Sequence, residues 1–176
     1  MKLVVFSDNH RNISSIEWIV KEHSDADRII SLGDSELREH ELTNLGVFGV
    51  RGNYPFEPDF PYDLVMEFEG VKTFITHGHR YFVKTGLYNL AQEAQMRECG
   101  LVLYGHTHQH AIQSLDQRLY VNPGSTQSPK SGNAKTYAII EIDLQTISIE
   151  IREIFTARLI QKHIEPRRMG GKHYGF

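Results

Sequence analysis

A chain of 176 residues has the length of one domain and enough sequence to bury a sizeable core. At 40% hydrophobic and 23% charged it is not a disordered chain, and a net charge of −3 gives no general basic field to recommend nucleic acid as its main partner. The single cysteine, Cys99, excludes an internal disulfide and fits a reducing compartment.

Leu3–Phe6 is the first apolar run. It is too short for a signal peptide, no later run reaches membrane-spanning length, and a soluble cytoplasmic protein without membrane attachment is expected. The run reads as a buried strand. Asn12 can then cap an amphipathic helix, because Ile13, Ile16, Ile19 and Val20 share one face; Trp18 in this helix reads as packing. Arg28–Leu32 is a second strand, a polar and weakly helical segment runs through Leu45, and Val47–Val50 is a third strand. This alternation of strand and helix is the pattern of a parallel sheet.

The rest of the chain changes character. Asp63–Phe68 and Val71–Thr76 read as strands joined by a hairpin turn at Glu69-Gly70. Thr85 can cap a helix reaching Cys99, which is expected as a buried helix-end thiol, and Gly100 ends it. Leu101–Tyr104 is the next strand, and Ala111–Leu115 and Arg118–Val121 flank a turn at Asp116-Gln117. A loop rich in Pro, Gly and Ser spans Asn122–Asn133, and Thr136–Ile142 with Ile147–Phe155 form a last hairpin. Residues 1–165 read as one domain and 166–176 as a basic, flexible tail. The fold class is α/β (α+β): two sheets face to face, flanked by helices.

Five of the apolar runs end in oxygen or imidazole donors. Asp8 and His10 follow the first, Asp34 the second, Asn53 the third, His77 and His79 the fifth, and His106 and His108 the sixth. Ligands of open α/β sheets bind at the carboxyl ends of strands, so neighbouring strands would bring these donors into one crevice. Asp8/His10, His77/His79 and His106/His108 are each two apart, a spacing that points both members to one side of an extended backbone. Any single pair could be no more than a solvated loop; that reading has to be repeated at five strand ends. Four imidazoles, two carboxylates and an amide oxygen exceed the needs of one tetrahedral ion. Shared between two ions with one carboxylate bridging, they give each about four ligands. Such mixed shells suit manganese, nickel, zinc, iron or cobalt better than magnesium or calcium.

Asp8-Asn9-His10, Gly33-Asp34, Gly52-Asn53, His77-Gly78-His79 and Gly105-His106-Thr107-His108 together resemble the ordered motifs of the calcineurin-like metallophosphoesterases. Within that superfamily the chain is most similar to the small single-domain phosphodiesterases of bacteria and archaea, from Lys2 to about Phe155. The resemblance implies a two-sheet sandwich between helices and two divalent ions per subunit, manganese foremost. It assigns Asp8, His10, Asp34 and His108 to one ion and Asp34, Asn53, His77 and His106 to the other, with Asp34 as bridge. The implied reaction is hydrolysis of a small phosphodiester by a bridging hydroxide, because two adjacent ions can deprotonate a water and neutralise phosphoryl charge. Asn53 would add a neutral oxygen, and His79 would contact phosphate or assist the leaving group. Arg11 could pair with phosphate. His110 continues the alternation without a counterpart in the motif and is assigned to strand or surface.

Many members of the superfamily carry histidine after the motif asparagine, where it can protonate the leaving group. This chain has Tyr54, and a phenol is a far weaker acid than an imidazolium. Phosphomonoester or nucleic-acid hydrolysis on the same centre is the enzymatic alternative. A non-catalytic interaction scaffold, like the similar retromer subunit, is the other, and a homo-oligomer stays open.

Overall fold

A computed structural model describes residues 1–55, 59–130 and 132–167. Among them, six strands form one sheet: β1 (Lys2–Phe6), β2 (Arg28–Ser31), β3 (Val47–Gly49), and, after the second sheet, β9 (Thr136–Ile142), β10 (Thr146–Glu153) and β11 (Leu159–Pro166). The order is β11-β10-β9-β1-β2-β3, with β1, β2 and β3 parallel and the rest antiparallel. Five strands form the second sheet: β4 (Asp63–Phe68), β5 (Val71–Thr76), β6 (Leu101–Leu103), β7 (His110–Leu115) and β8 (Arg118–Pro123), in the order β4-β5-β6-β8-β7. Helices α1 (Ile13–Glu22) and α2 (Glu39–Thr43) follow β1 and β2, and α3 (Tyr88–Met96) follows β5.

The all-apolar runs are explained by burial on both faces. In β1, Leu3 and Val5 enter the core between the sheets, against Ile75, Leu103 and Val121 of the second sheet. Val4 and Phe6 point the other way and pack with Ile16 and Ile19 of α1. The second sheet repeats the arrangement: Phe74, Val102 and Tyr120 pack with Leu90 and Ala94 of α3. Each such side chain is worth about 1.5–3 kcal/mol by burial. The result is four layers, helix, sheet, sheet, helix.

Asn12 caps α1 by accepting from the Ser15 amide at 3.3 Å, and its own amide donates to Gln127 Oε1 at 2.6 Å. Glu69 and Gly70 both have positive φ, as do Asp116 and Gln117, which is what two-residue hairpins of right-twisted strands require. Cys99 is buried beyond the end of α3, as expected, and burial pushes its thiol pKa up.

Several boundaries differ from the sequence reading, among them the end of α3 at Met96 rather than Cys99. Helix α3 starts at Tyr88, because the Thr85 hydroxyl donates to the Phe82 carbonyl and closes a turn in place of capping a helix. The last hairpin gains a third strand, β11. Pro166 ends that strand, and Arg167 donates to the Gln145, Asp143 and Glu69 carbonyls, so the chain is still paired where the tail was expected to start. The remainder of that tail, 168–176, lies outside the described residues. Among the described residues no helix is long and apolar enough to cross a membrane.

Candidate metal centre

Asp8 and His10 follow β1 and Asp34 follows β2 in one sheet; His77 follows β5, and His106 and His108 follow β6 in the other. Most of these residues do not sit on extended backbone. Asp8, His10, Asp34, His106 and His108 all have positive φ, between 40° and 67°. Left-handed backbone is uncommon away from glycine, and a concentration of it marks a site over-determined by its surroundings. Tight turns rather than extended backbone therefore set the i, i+2 pairs: Asp8 and His10 stay together, as do His77 and His79, while His106 and His108 go to different clusters. Glycine is demanded where the turns cross: a Cβ on Gly52 would overlap the Asp34 carboxylate, and one on Gly105 would overlap the Ser7 hydroxyl.

Asp8, His10 and His108 form the first cluster. His108 Nε2 lies 3.1 Å from Asp8 Oδ1 and 3.5 Å from His10 Nε2. The other imidazole nitrogens are committed to the protein. His108 Nδ1 donates to the Ser128 carbonyl at 2.6 Å, and His10 Nδ1 to Glu36 Oε1 at 2.7 Å. This leaves both Nε2 lone pairs facing the cluster. Asp8 Oδ2 accepts from the Ser7 hydroxyl at 2.6 Å and the His106 amide at 3.1 Å, whereas the buried Asp8 Oδ1 faces only imidazole nitrogens of the site, His108 Nε2 at 3.1 Å and His77 Nε2 at 3.9 Å.

The second cluster is Asp34, His77 and His106. His77 Nδ1 donates to the Leu32 carbonyl at 2.7 Å, turning Nε2 to within 3.5 Å of Asp34 Oδ2, 3.2 Å of His106 Nδ1 and 3.2 Å of Asn53 Oδ1. Asp34 Oδ1 is held by the Asn53 and Tyr54 amides at 2.8 and 3.1 Å, so Oδ2 is the oxygen left for a ligand. His77 Nε2 is also 3.9 Å from Asp8 Oδ1, and the two clusters are thus adjacent.

Charge balance explains what such a site binds. Burial works to raise the Asp8 carboxyl pKa, but the His108 hydrogen bond and the neighbouring imidazole charges outweigh it and hold it low. Burial likewise opposes ionisation of Asp34, yet His77 and the two backbone amides keep it well below the usual carboxylate range. Burial works to lower His77, but Asp34 and Asp8 raise it; His108 is raised chiefly by its hydrogen bond to Asp8. The field that draws imidazoles toward protonation also favours a divalent cation. His106 is pushed to about 4 by burial and by the charges of His77 and Lys84, which makes its ring a neutral donor. The inward-facing Asp8 Oδ1, met only by imidazole nitrogens, fits metal ions of the imidazole-binding kind together with those nitrogens.

His79 stands beside the second cluster, its ring centroid 5.4 Å from His77 and 6.0 Å from His106, with Nδ1 buried and unpartnered among the described residues. Burial, then the His77 charge, lowers its pKa. Arg11 is exposed, and its Nε lies 3.6 Å from Glu36 Oε2, which places it beside the first cluster through that carboxylate. His110 starts β7 opposite Pro123 and belongs to neither cluster. Sequence reasoning missed Glu36 and the Leu32 and Ser128 carbonyls. Only Glu36 had a signal, an acidic residue two positions past Asp34 at the same strand end.

Fold and site together define a class: a two-sheet α/β sandwich with paired carboxylate–imidazole clusters suited to metal ions. The family model described as the calcineurin-like phosphoesterase superfamily domain matches residues 1–145, and the chain belongs to that family, a group of hydrolases. It is 30% identical over 144 residues to the probable metallophosphoesterase YsnB of Bacillus subtilis, covering 81% of this chain and 85% of that protein. It is 27% identical over 175 residues to the phosphodiesterase YfcE of Escherichia coli K12, covering 84% and 91%. A predicted phosphoesterase from Streptococcus pneumoniae superposes with a TM-score of 0.83 at 28% identity, over 94% of this chain and 97% of that one. Vacuolar Protein Sorting 29 from Cryptosporidium parvum shares the fold alone, with a TM-score of 0.75 at 15% identity over 96% and 98%.

Proposed function

We propose that the chain is a phosphodiesterase that hydrolyses small phosphodiesters at two divalent ions, manganese foremost. The carrying observation is the imidazole geometry: His10, His77 and His108 each commit Nδ1 to a carboxylate or carbonyl and turn Nε2 inward. Asp8, His10, His108 and Asp34 would hold one ion, and Asp34, Asn53, His77 and His106 the other. Asp34 would serve both ions, and Oδ2 is the oxygen it has available, since the other is occupied by the Asn53 and Tyr54 amides. When bound, such ions would activate water as the nucleophile and screen the phosphoryl oxygens. Asn53 would add a donor without adding negative charge, and the exposed Arg11 would meet an outer phosphoryl oxygen. His79, with Nδ1 buried and unpartnered among the described residues, would assist the leaving group.

Relatives named phosphodiesterase support the diester as substrate. Seven of seven motif donors are retained, which favours catalysis over a scaffold role. Both sheets supply each cluster, in keeping with residues 1–165 acting as one domain, and the lone buried Cys99 suits a cytoplasmic enzyme. The test is metal content with activity. Dialysed protein saturated with manganese should hold two ions per chain and cleave bis(p-nitrophenyl) phosphate faster than p-nitrophenyl phosphate, and Asp34→Asn should lose metal from both clusters. Preference for the monoester would make it a phosphomonoesterase; two ions with no hydrolysis of either ester would favour the scaffold.

A further inference from the structure

Beside the first cluster, a groove of about 700 Å³ opens onto His108 and Thr107, within the size of a small-molecule site. Val83, Leu87, Tyr104 and Ala111 give it apolar walls, and Lys84 and Lys130 are its charged lining. Among the described residues no carboxylate lines it, and neither lysine has an acidic partner; Lys130 reaches only Gln109 Oε1, at 3.5 Å. The groove beside Arg11 differs, because there Glu36 and Glu41 accompany the arginines. The groove adjoins the first cluster while His79, the candidate for the leaving group, adjoins the second.

We propose, resting on the phosphodiesterase reading, that this groove receives the retained ester arm and that Lys84 and Lys130 select an arm carrying a second anionic group. A simple diester has one negative charge, and it is met at the clusters. Two further cations without counter-ions are left over for a carboxylate or phosphate on the arm, while the apolar walls take its carbon chain or ring.

Three p-nitrophenyl diesters with the same leaving group and a 2-carboxyethyl, methyl or choline retained arm separate this from leaving-group chemistry. For manganese-saturated protein, kcat/KM should fall in that order, with each lysine contributing about fivefold, the scale of an exposed ion pair. Lys84→Gln/Lys130→Gln should flatten the order, and Lys21→Gln, on α1, should not. Calorimetry with the non-cleavable phosphonate analogues of the three arms reads the same order as affinity, without hydrolysis. A flat order in the parent, or an order unmoved in the double variant, overturns the assignment. Absence of hydrolysis with the affinity order intact would remove the phosphodiesterase reading and leave the groove's selectivity standing.

Discussion

Three imidazoles of the centre divide their nitrogens between the protein and the cavity, and the carboxylates do likewise. Asp8 spends Oδ2 on Ser7 and His106 and keeps Oδ1; Asp34 spends Oδ1 on two amides and keeps Oδ2. Such division makes substitutions graded. His108→Ala removes an inward nitrogen and should abolish metal binding at the first cluster. Glu36→Gln leaves that donor set whole but loosens His10, and loss of an orienting partner costs about 10–100-fold in metal affinity. His110 is two residues from His108, yet it pairs with β8 and touches neither cluster. Its replacement by alanine should leave kcat within about twofold. Metal titration and steady-state kinetics on the three variants check the series. A His110→Ala protein that loses metal while His108→Ala keeps it would put the site in the wrong register.

At the scale of elements, legibility followed the source of the stabilisation. Leu3–Phe6 and Leu101–Leu103 were readable because burial on both faces writes an unbroken apolar run. Strand β11 has no fully buried residue; it is held by backbone pairing to β10, which leaves no hydrophobic period in Leu159–Pro166. The donors were readable because each lies just beyond a strand. Their orienting carbonyls were not, since every residue has one. Helix α1 carries a further feature of this kind. His23, just beyond its end, is buried against Trp18 and Tyr137, with Nε2 2.9 Å from the Tyr137 hydroxyl. Burial, then the Lys2 charge, lowers its pKa, partly offset by Glu22 and Asp25. A folded-state pKa below the unfolded value of about 6.5 means the unfolded chain binds the proton more readily. The contribution is therefore complete well above pH 6.5 and is lost as pH falls through that value toward the folded one. Denaturant unfolding in chelator should show parent stability declining from pH 7.5 to 5.5, and His23→Gln should decline less steeply. Equal slopes would mean that His23 is not kept neutral by the fold.

For the whole molecule, the decisive arrangement is that neither cluster belongs to one sheet. The first takes Asp8 and His10 from the β1 end and His108 from the β6 end; the second takes Asp34 from β2 and His77 and His106 from β5 and β6. Metal at either cluster would join the two sheets at their carboxyl edges, where the chain also concentrates its left-handed residues. Native-state binding adds RT ln(1 + [L]/Kd), about 2.7 kcal/mol at a hundredfold excess over Kd, and a chain of this size gains roughly 2–4 °C in Tm per kcal/mol. One saturated site should raise Tm by roughly 5–11 °C over protein in chelator. Location is the sharper test. The His106 amide donates to Asp8 across the sheets, and the Asn53 and Tyr54 amides donate to Asp34 within one. Chelation should accelerate hydrogen exchange at these three amides together, and change little at the Glu69-Gly70 turn on the opposite edge. Exchange that rises evenly over the chain, or a Tm that ignores manganese, would mean that the clusters do not hold the sheets together through metal.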